Sequence, residues 1–142
     1  MSEAVYVSDL ELDDEHAVVG TDTTIVDATK KLVSLQRGIL IVLNEDQNVQ
    51  GIVTSIQILN AVASGDDPSQ STCGHHMDTD VMEVPLKDTV AELAQRMAER
   101  KPHAVVAVDD EGKFKGYFSP NDYREALART QKANLGQLVS ND

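Results

Sequence analysis

Residues 51–58 read GIVTSIQI and residues 116–123 read GYFSPNDY. Both fit one template: Gly, two apolar residues, Ser or Thr, two variable residues, a polar residue and an apolar one. Gly51, Thr54 and Gln57 fill the fixed positions of the first copy; Gly116, Ser119 and Asp122 fill those of the second. A phrase repeated at an offset of 65 residues marks an internal duplication, which sets the architecture before any residue is read for chemistry.

The offset extends outward without a gap. Val19 matches Val84, Thr24 matches Thr89, Ile25 matches Val90 and Leu32 matches Met97. The apolar run Ile39 to Leu43 matches Ala104 to Val108, and Asn44-Glu45-Asp46 matches Asp109-Asp110-Glu111. Each half therefore reads as strand, helix, strand, strand, helix. The first copy predicts strands over 17–19, 39–43 and 49–53. Its first helix carries Ile25, Ala28, Leu32 and Leu35 at helical spacing, and its second runs over 55–64 with Gly65 as the stop. The second copy predicts strands over 81–84, 104–108 and 114–118. Val90, Leu93 and Met97 line one helix, Pro102 prevents its continuation, and Pro120 opens a last helix to about Lys132. The fold class is α+β, with two β-α-β-β-α repeats. The expected boundaries are 1–66 for the first repeat, 67–80 for the connection, 81–132 for the second repeat and 133–142 for a tail.

Length and charge narrow the function. At 142 residues the chain suits one compact unit, and repeats of about 60 residues are marginal alone, so they should share an interface. The net charge of −12, with fifteen Asp and nine Glu, repels phosphate backbones and anionic lipid. Neither nucleic acid nor membrane is expected as a partner. The excess reads first as a plain acidic surface, with a salt-adapted source as the alternative. The first fifteen residues, MSEAVYVSDLELDDE, lack a signal-peptide layout, and the single Cys73 fits a reducing cytoplasm. Cys73, His75 and His76 stand close together in the polar stretch 65–80, but three residues at this spacing fall short of a structural zinc set. They read as connection, with no metal site. No nucleophile–base pair or phosphate-binding glycine loop is present in the sequence, so an enzyme is not expected.

The repeated motif, the apolar hairpin before each glycine, and Met77 at the opening of the second copy are similar to the cystathionine-β-synthase (CBS) domain. The tandem resembles a Bateman module over roughly residues 5–132. That resemblance implies two repeats packed through their sheets as a pseudo-two-fold pair, with clefts between them for an adenosine compound: AMP, ADP, ATP, NAD or S-adenosylmethionine. It implies a sensor without a required cofactor, usually a homodimer, acting on a downstream protein target. Within the motif it gives Ser119 a phosphate contact and Asp122 the ribose hydroxyls. Physics agrees, since a helix N-terminus favours phosphate and an ionised carboxylate accepts strong hydrogen bonds from hydroxyls. The same spacing is also a capping box. The repeat context favours a ligand role for Ser119 and Asp122, whereas Gln57 is neutral and reads with Thr54 as a cap, a weaker site. His103, Lys101 and Arg124 are further candidates near the phosphate, and Val84 and Pro85 are candidates for backbone contacts beside adenine.

Overall fold

The computed structural model describes residues 5–9, 16–35, 38–99 and 102–118. The first repeat contains β1 (His16–Gly20), α1 (Ile25–Leu35), β2 (Ile39–Leu43), β3 (Val49–Val53) and α2 (Ser55–Ala63). A short helix, α3 (Cys73–His76), lies between the repeats. The second repeat contains β4 (Val81–Pro85), α4 (Val90–Glu99), β5 (Ala104–Val108) and β6 (Phe114–Phe118). The helix expected from Pro120 lies outside the described residues.

Each sheet has the same order, with β1 parallel to β2 and β3 antiparallel to it, then β4 parallel to β5 and β6 antiparallel to it. The central strands are apolar at every position because both of their faces are buried. Successive side chains on a strand point to opposite faces. Leu40 and Val42 therefore pack outward with Val19, Ala28, Val53 and Cys73. Val105 and Ala107 do the same with Met82, Val84 and Leu93. The alternate residues Ile41 and Leu43 meet Ala104, Val106 and Val108, together with Ile52 and Tyr117, in a core between the two sheets. The repeats thus pair sheet to sheet. His16 adds edge-on ring contacts to Phe114 and Tyr117 across that interface, with centroids 5.5 and 6.1 Å apart.

The duplication reaches the irregularities. Both hairpins carry a register shift at the same point, between Val42 and Leu43 and between Ala107 and Val108. Asn44 Oδ1 accepts from the amides of Asp46 and Asn48, and Asp109 Oδ1 accepts from those of Glu111 and Lys113. Thr24 and Thr89 both cap their helices, accepting from Asp27 N and Glu92 N at 3.2 Å. Such caps satisfy amides that the first helical turn leaves without partners.

Two short segments sit where the sequence did not place them. Sequence order puts residues 5–9 with the first repeat, yet they lie on the second. Val7 N donates to Asp88 O at 2.8 Å, Val90 N donates to Val5 O at 2.8 Å, and Val7 is fully buried beside Val84 and Leu93. The stretch before the second repeat makes the matching contacts on the first. Cys73 N donates to Thr23 O at 2.8 Å, Ile25 N donates to Ser71 O at 2.9 Å, and Cys73 is fully buried beside Val19 and Leu40. The polar connection is therefore pinned by its backbone and by one apolar side chain.

Candidate functional site

The first motif closes on itself. Gly65, at φ 79°, stops α2, and Thr54 opens it as the N-cap. Thr54 Oγ1 accepts from Ile56 N at 3.3 Å. Gln57 Oε1 accepts from both Thr54 N and Thr54 Oγ1, each at 2.7 Å. This is the reciprocal capping box the spacing allowed. Gln57 is only 8% exposed, and its amide oxygen spends both lone pairs inside the box.

Gly51 brings the connection against this motif. A Cβ at residue 51 would stand 2.7 Å from Asp78 O and 2.9 Å from Met77 Cγ. Without one, Asp78 pairs with Ile52 in both directions, Ile52 N to Asp78 O at 2.9 Å and Asp78 N to Ile52 O at 2.8 Å. Asp78 is thereby fixed to β3, and its side chain reaches the other repeat. His103 Nδ1 donates to Asp78 Oδ2 at 2.6 Å, and Asp80 Oδ2 stands 3.6 Å from the same nitrogen. His103 N also donates to Asp80 O at 3.1 Å, and Asp80 N donates to Asp78 Oδ1 at 2.9 Å. The hydrogen bond to Asp78 raises the His103 pKa above the ordinary histidine value, and the negative charges of Asp78 and Asp80 add to it against slight desolvation. The pair spans both repeats and remains open to solvent, with the His103 side chain 64% exposed.

This cluster occupies a defined end of the second sheet. Val81 lies opposite Ala104, and Phe118, where the described part of β6 stops, lies opposite Val105. Phe118 thus stands at the sheet end at which His103, Asp78 and Asp80 meet. Ser119, Asp122, Arg124 and Lys101 themselves lie outside the described residues. Val84 and Pro85 are not brought to this end. Parallel pairing sets Pro85 opposite Val108 at the far end of β4, about 13 Å along the strand from Val81. The Val84 side chain is fully buried in the outer core, and Pro85 O accepts from Asp88 N at 3.1 Å.

Sequence reasoning missed Asp78 and Asp80, whose link to His103 crosses 25 positions of chain. The proximity of Cys73 to His75 and His76 in sequence does not survive in space as a shared site. Cys73 is buried in the first repeat's core, and desolvation pushes its thiol up to about 11 despite the opposing charge of Lys31. Among the described residues no helix is long and apolar enough to cross a membrane.

Comparison with known proteins gives the same layout. The CBS domain family model matches residues 7–64 and again 73–129. A CBS-domain containing protein from Agrobacterium tumefaciens is 27% identical, with 87% of this chain and 94% of that chain covered and a TM-score of 0.65. A CBS domain-containing protein from Bacillus anthracis is 18% identical over 88% and 94% of the two chains, with a TM-score of 0.71. The CBS domain pair of protein MJ0100, solved in complex with 5'-methylthioadenosine and S-adenosyl-L-methionine, is 22% identical over 90% and 99%, with a TM-score of 0.67. No curated protein matches the chain.

Proposed function

This chain belongs to the CBS-domain family as a tandem pair, and on that premise we propose that it is a regulatory module holding one adenosine-containing ligand per chain at the second repeat. The observation that carries this reading is the asymmetry between the motifs. Gln57 is buried and consumed by its own helix cap. The second motif has a carboxylate, Asp122, at the matching position, and Phe118, the last described residue before that motif's Ser119, stands at the sheet end that assembles His103, Asp78 and Asp80. Ser119 and Asp122 take the phosphate or ribose end of the ligand, with Lys101 and Arg124 as nearby positive charge. Thr54 and Gln57 remain a weaker second position, and Val84 and Pro85 have at most a backbone role. The two CBS-domain matches support a regulatory module.

Charge narrows the ligand. His103 faces two aspartates and can balance at most one of them, which leaves a local negative excess within a chain of net charge −12. Adenosine compounds with little negative charge suit this mouth better than polyphosphates. S-adenosylmethionine, with its sulfonium and ammonium groups, heads the order, followed by AMP, with ATP last. The MJ0100 pair, solved with S-adenosyl-L-methionine and 5'-methylthioadenosine, agrees with the head of that order. Calorimetry with S-adenosylmethionine, 5'-methylthioadenosine, AMP, ADP, ATP and NAD tests it. One site per chain and that order are expected, with a matching rise in melting temperature because the ligand binds only the folded state.

A second reading has its own support: a ligand-free dimerisation or docking module. α2 exposes Ile56, Leu59 and Val62, and Val33 on α1 is 76% exposed. A second copy of the chain is the proposed cover, since two-fold pairing is the commonest closed assembly. Sedimentation should give twice the 15.4 kDa monomer mass. Dimers with no response to any of the six ligands would favour docking over sensing.

A further inference from the structure

Beyond the stop at Gly65 the chain folds back, and Asp66 comes to stand over α3. Asp66 Oδ2 lies 2.9 Å from His76 Nε2 and 3.9 Å from His75 Nε2. The ligating atoms of all three residues lie within 4.8 Å of one another. In a tetrahedral zinc complex, with metal–ligand bonds of about 2.0–2.1 Å, neighbouring donor atoms stand about 3.3 Å apart. The present spacings of 2.9 and 3.9 Å lie on either side of that distance.

His76 is also held in place. The His76 side chain is 10% exposed, and its Nε2 lies 2.9 Å from Ser71 Oγ as well as 2.9 Å from Asp66. A single N–H cannot point straight at two oxygens. A cation at this nitrogen would take the carboxylate and leave the hydroxyl as a neighbour. The two imidazoles meet edge to face, with centroids 4.7 Å apart. The His75 side chain is 70% exposed and borders a shallow hollow of about 250 Å³ that Asp67, Gln70 and Ser71 also line. That hollow gives room for a water in the fourth position.

We propose that Asp66, His75 and His76 bind a divalent first-row cation of the zinc type, as two imidazole nitrogens and one carboxylate with an open fourth place. Imidazole donors select zinc, copper or nickel over magnesium and calcium, which prefer all-oxygen shells. The bound cation joins the end of α2 to α3. Through α3 it steadies Met77 and Asp78, which close on Gly51 and reach His103. The site does not depend on the adenosine reading, because none of its three residues belongs to that site.

The test uses the full chain without nucleotide, titrated calorimetrically with zinc chloride in a buffer containing excess magnesium. One zinc per chain is expected, with a rise in melting temperature that a chelator reverses. Cobalt(II) in place of zinc should give the visible absorption of a four-coordinate site. His75→Ala and, independently, Asp66→Asn should each weaken zinc by at least about tenfold, the lower limit seen even for groups behind the ligands. His103→Ala, which dismantles the other histidine–aspartate cluster, should leave zinc affinity unchanged. Absence of saturable zinc binding overturns the proposal. So does undiminished binding by either the His75 or the Asp66 variant, or a loss confined to His103→Ala.

Discussion

Gln57 in the first repeat is locked 2.7 Å from the amide of Thr54, whereas the second repeat carries Asp122 at the same place in the duplication. Gly38 in the first repeat corresponds to His103 in the second, and His103 holds two aspartates at the sheet end. Around these differences the two backbones agree in strand order, register shift, turn hydrogen bonds and helix caps. A duplicated scaffold has kept its geometry while its two copies of one motif have diverged. One copy carries an amide that completes its helix, and the other carries a carboxylate at that position.

The largest expected effect concerns the contact that braces the first motif. Gly51→Val places side-chain carbon against the backbone of Asp78, which cannot yield as a flexible side chain would. A loss of about 3 kcal/mol is expected, at the upper end for overpacking. Denaturant melts check it, and Gly65→Val serves as contrast. Residue 65 has nothing within 4 Å, so its cost comes from φ alone.

Next comes the exchange of roles between Asp122 and Gln57. Asp122→Ala should cut ligand affinity about 10- to 150-fold, from the roughly 1.5–3 kcal/mol of hydrogen bonds to a charged acceptor, and should cost little stability. Gln57→Ala should do the reverse. It costs about 1–2 kcal/mol of stability by opening a buried cap, and leaves ligand affinity unchanged. Calorimetry and thermal melts on both variants check the pair. If Gln57→Ala loses ligand and Asp122→Ala does not, the two repeats have been assigned the wrong way round.

A smaller difference lies in the hairpin turns. Gln47 has φ 68° where the second repeat has Gly112 at φ 80°. A side chain in the left-handed region costs about 1–2 kcal/mol, and a glycine returns about 0.4–1 kcal/mol to the unfolded chain. Gln47→Gly should therefore stabilise by about 0.5–1 kcal/mol, and Gly112→Gln should destabilise by a similar amount, both read from denaturation midpoints.

The smallest effect is in pH dependence, and it too belongs to one repeat. The amide of Lys113, then that of Glu111 and the charges of Lys115 and Lys113, hold the Asp109 pKa below the ordinary carboxylate value against opposing desolvation. Its contribution is full above about pH 3.9 and is lost as pH falls through the lowered value. His103 has a raised pKa, so its contribution is full below about pH 6.5 and is lost as pH rises through that raised value. Their counterparts, Asn44 and Gly38, do not titrate. Asp109→Asn should flatten the acid limb of the stability profile, and His103→Gln should flatten the limb above neutrality. Melting temperatures across pH, at fixed salt, distinguish the two.

Most of the fold was legible because it rests on local pattern. The runs at 39–43 and 104–108 show strands buried on both faces, and the offset shows that they belong to one unit repeated. The capping box at Thr54 was legible for the same reason, since three residues of spacing define it. What escaped depends on pairing over distance. Val7 stands in the mixed run AVYVSDLEL, and no periodicity there tells which repeat it serves. Asp78 finds its place through backbone bonds to Ile52, which any residue type could make. The distance of Pro85 from His103 follows from parallel pairing, because the first residues of β4 and β5 meet at one end and their last residues at the other.

The exchanged segments at residues 5–9 and 71–76 have a consequence for how the chain comes into being. The first repeat is finished only when Cys73 and its neighbours have been synthesised and have turned back onto α1. Val7, made before the strands of either repeat, finds its place only after Leu93 and Val105 exist. Each half thus waits for a piece carried in front of the other. Contacts of such long sequence separation slow folding, because the loop must close before they form. A nascent first half keeps an apolar residue uncovered until the second arrives. A cut at residue 66 would leave two fragments, each lacking the segment that the other holds.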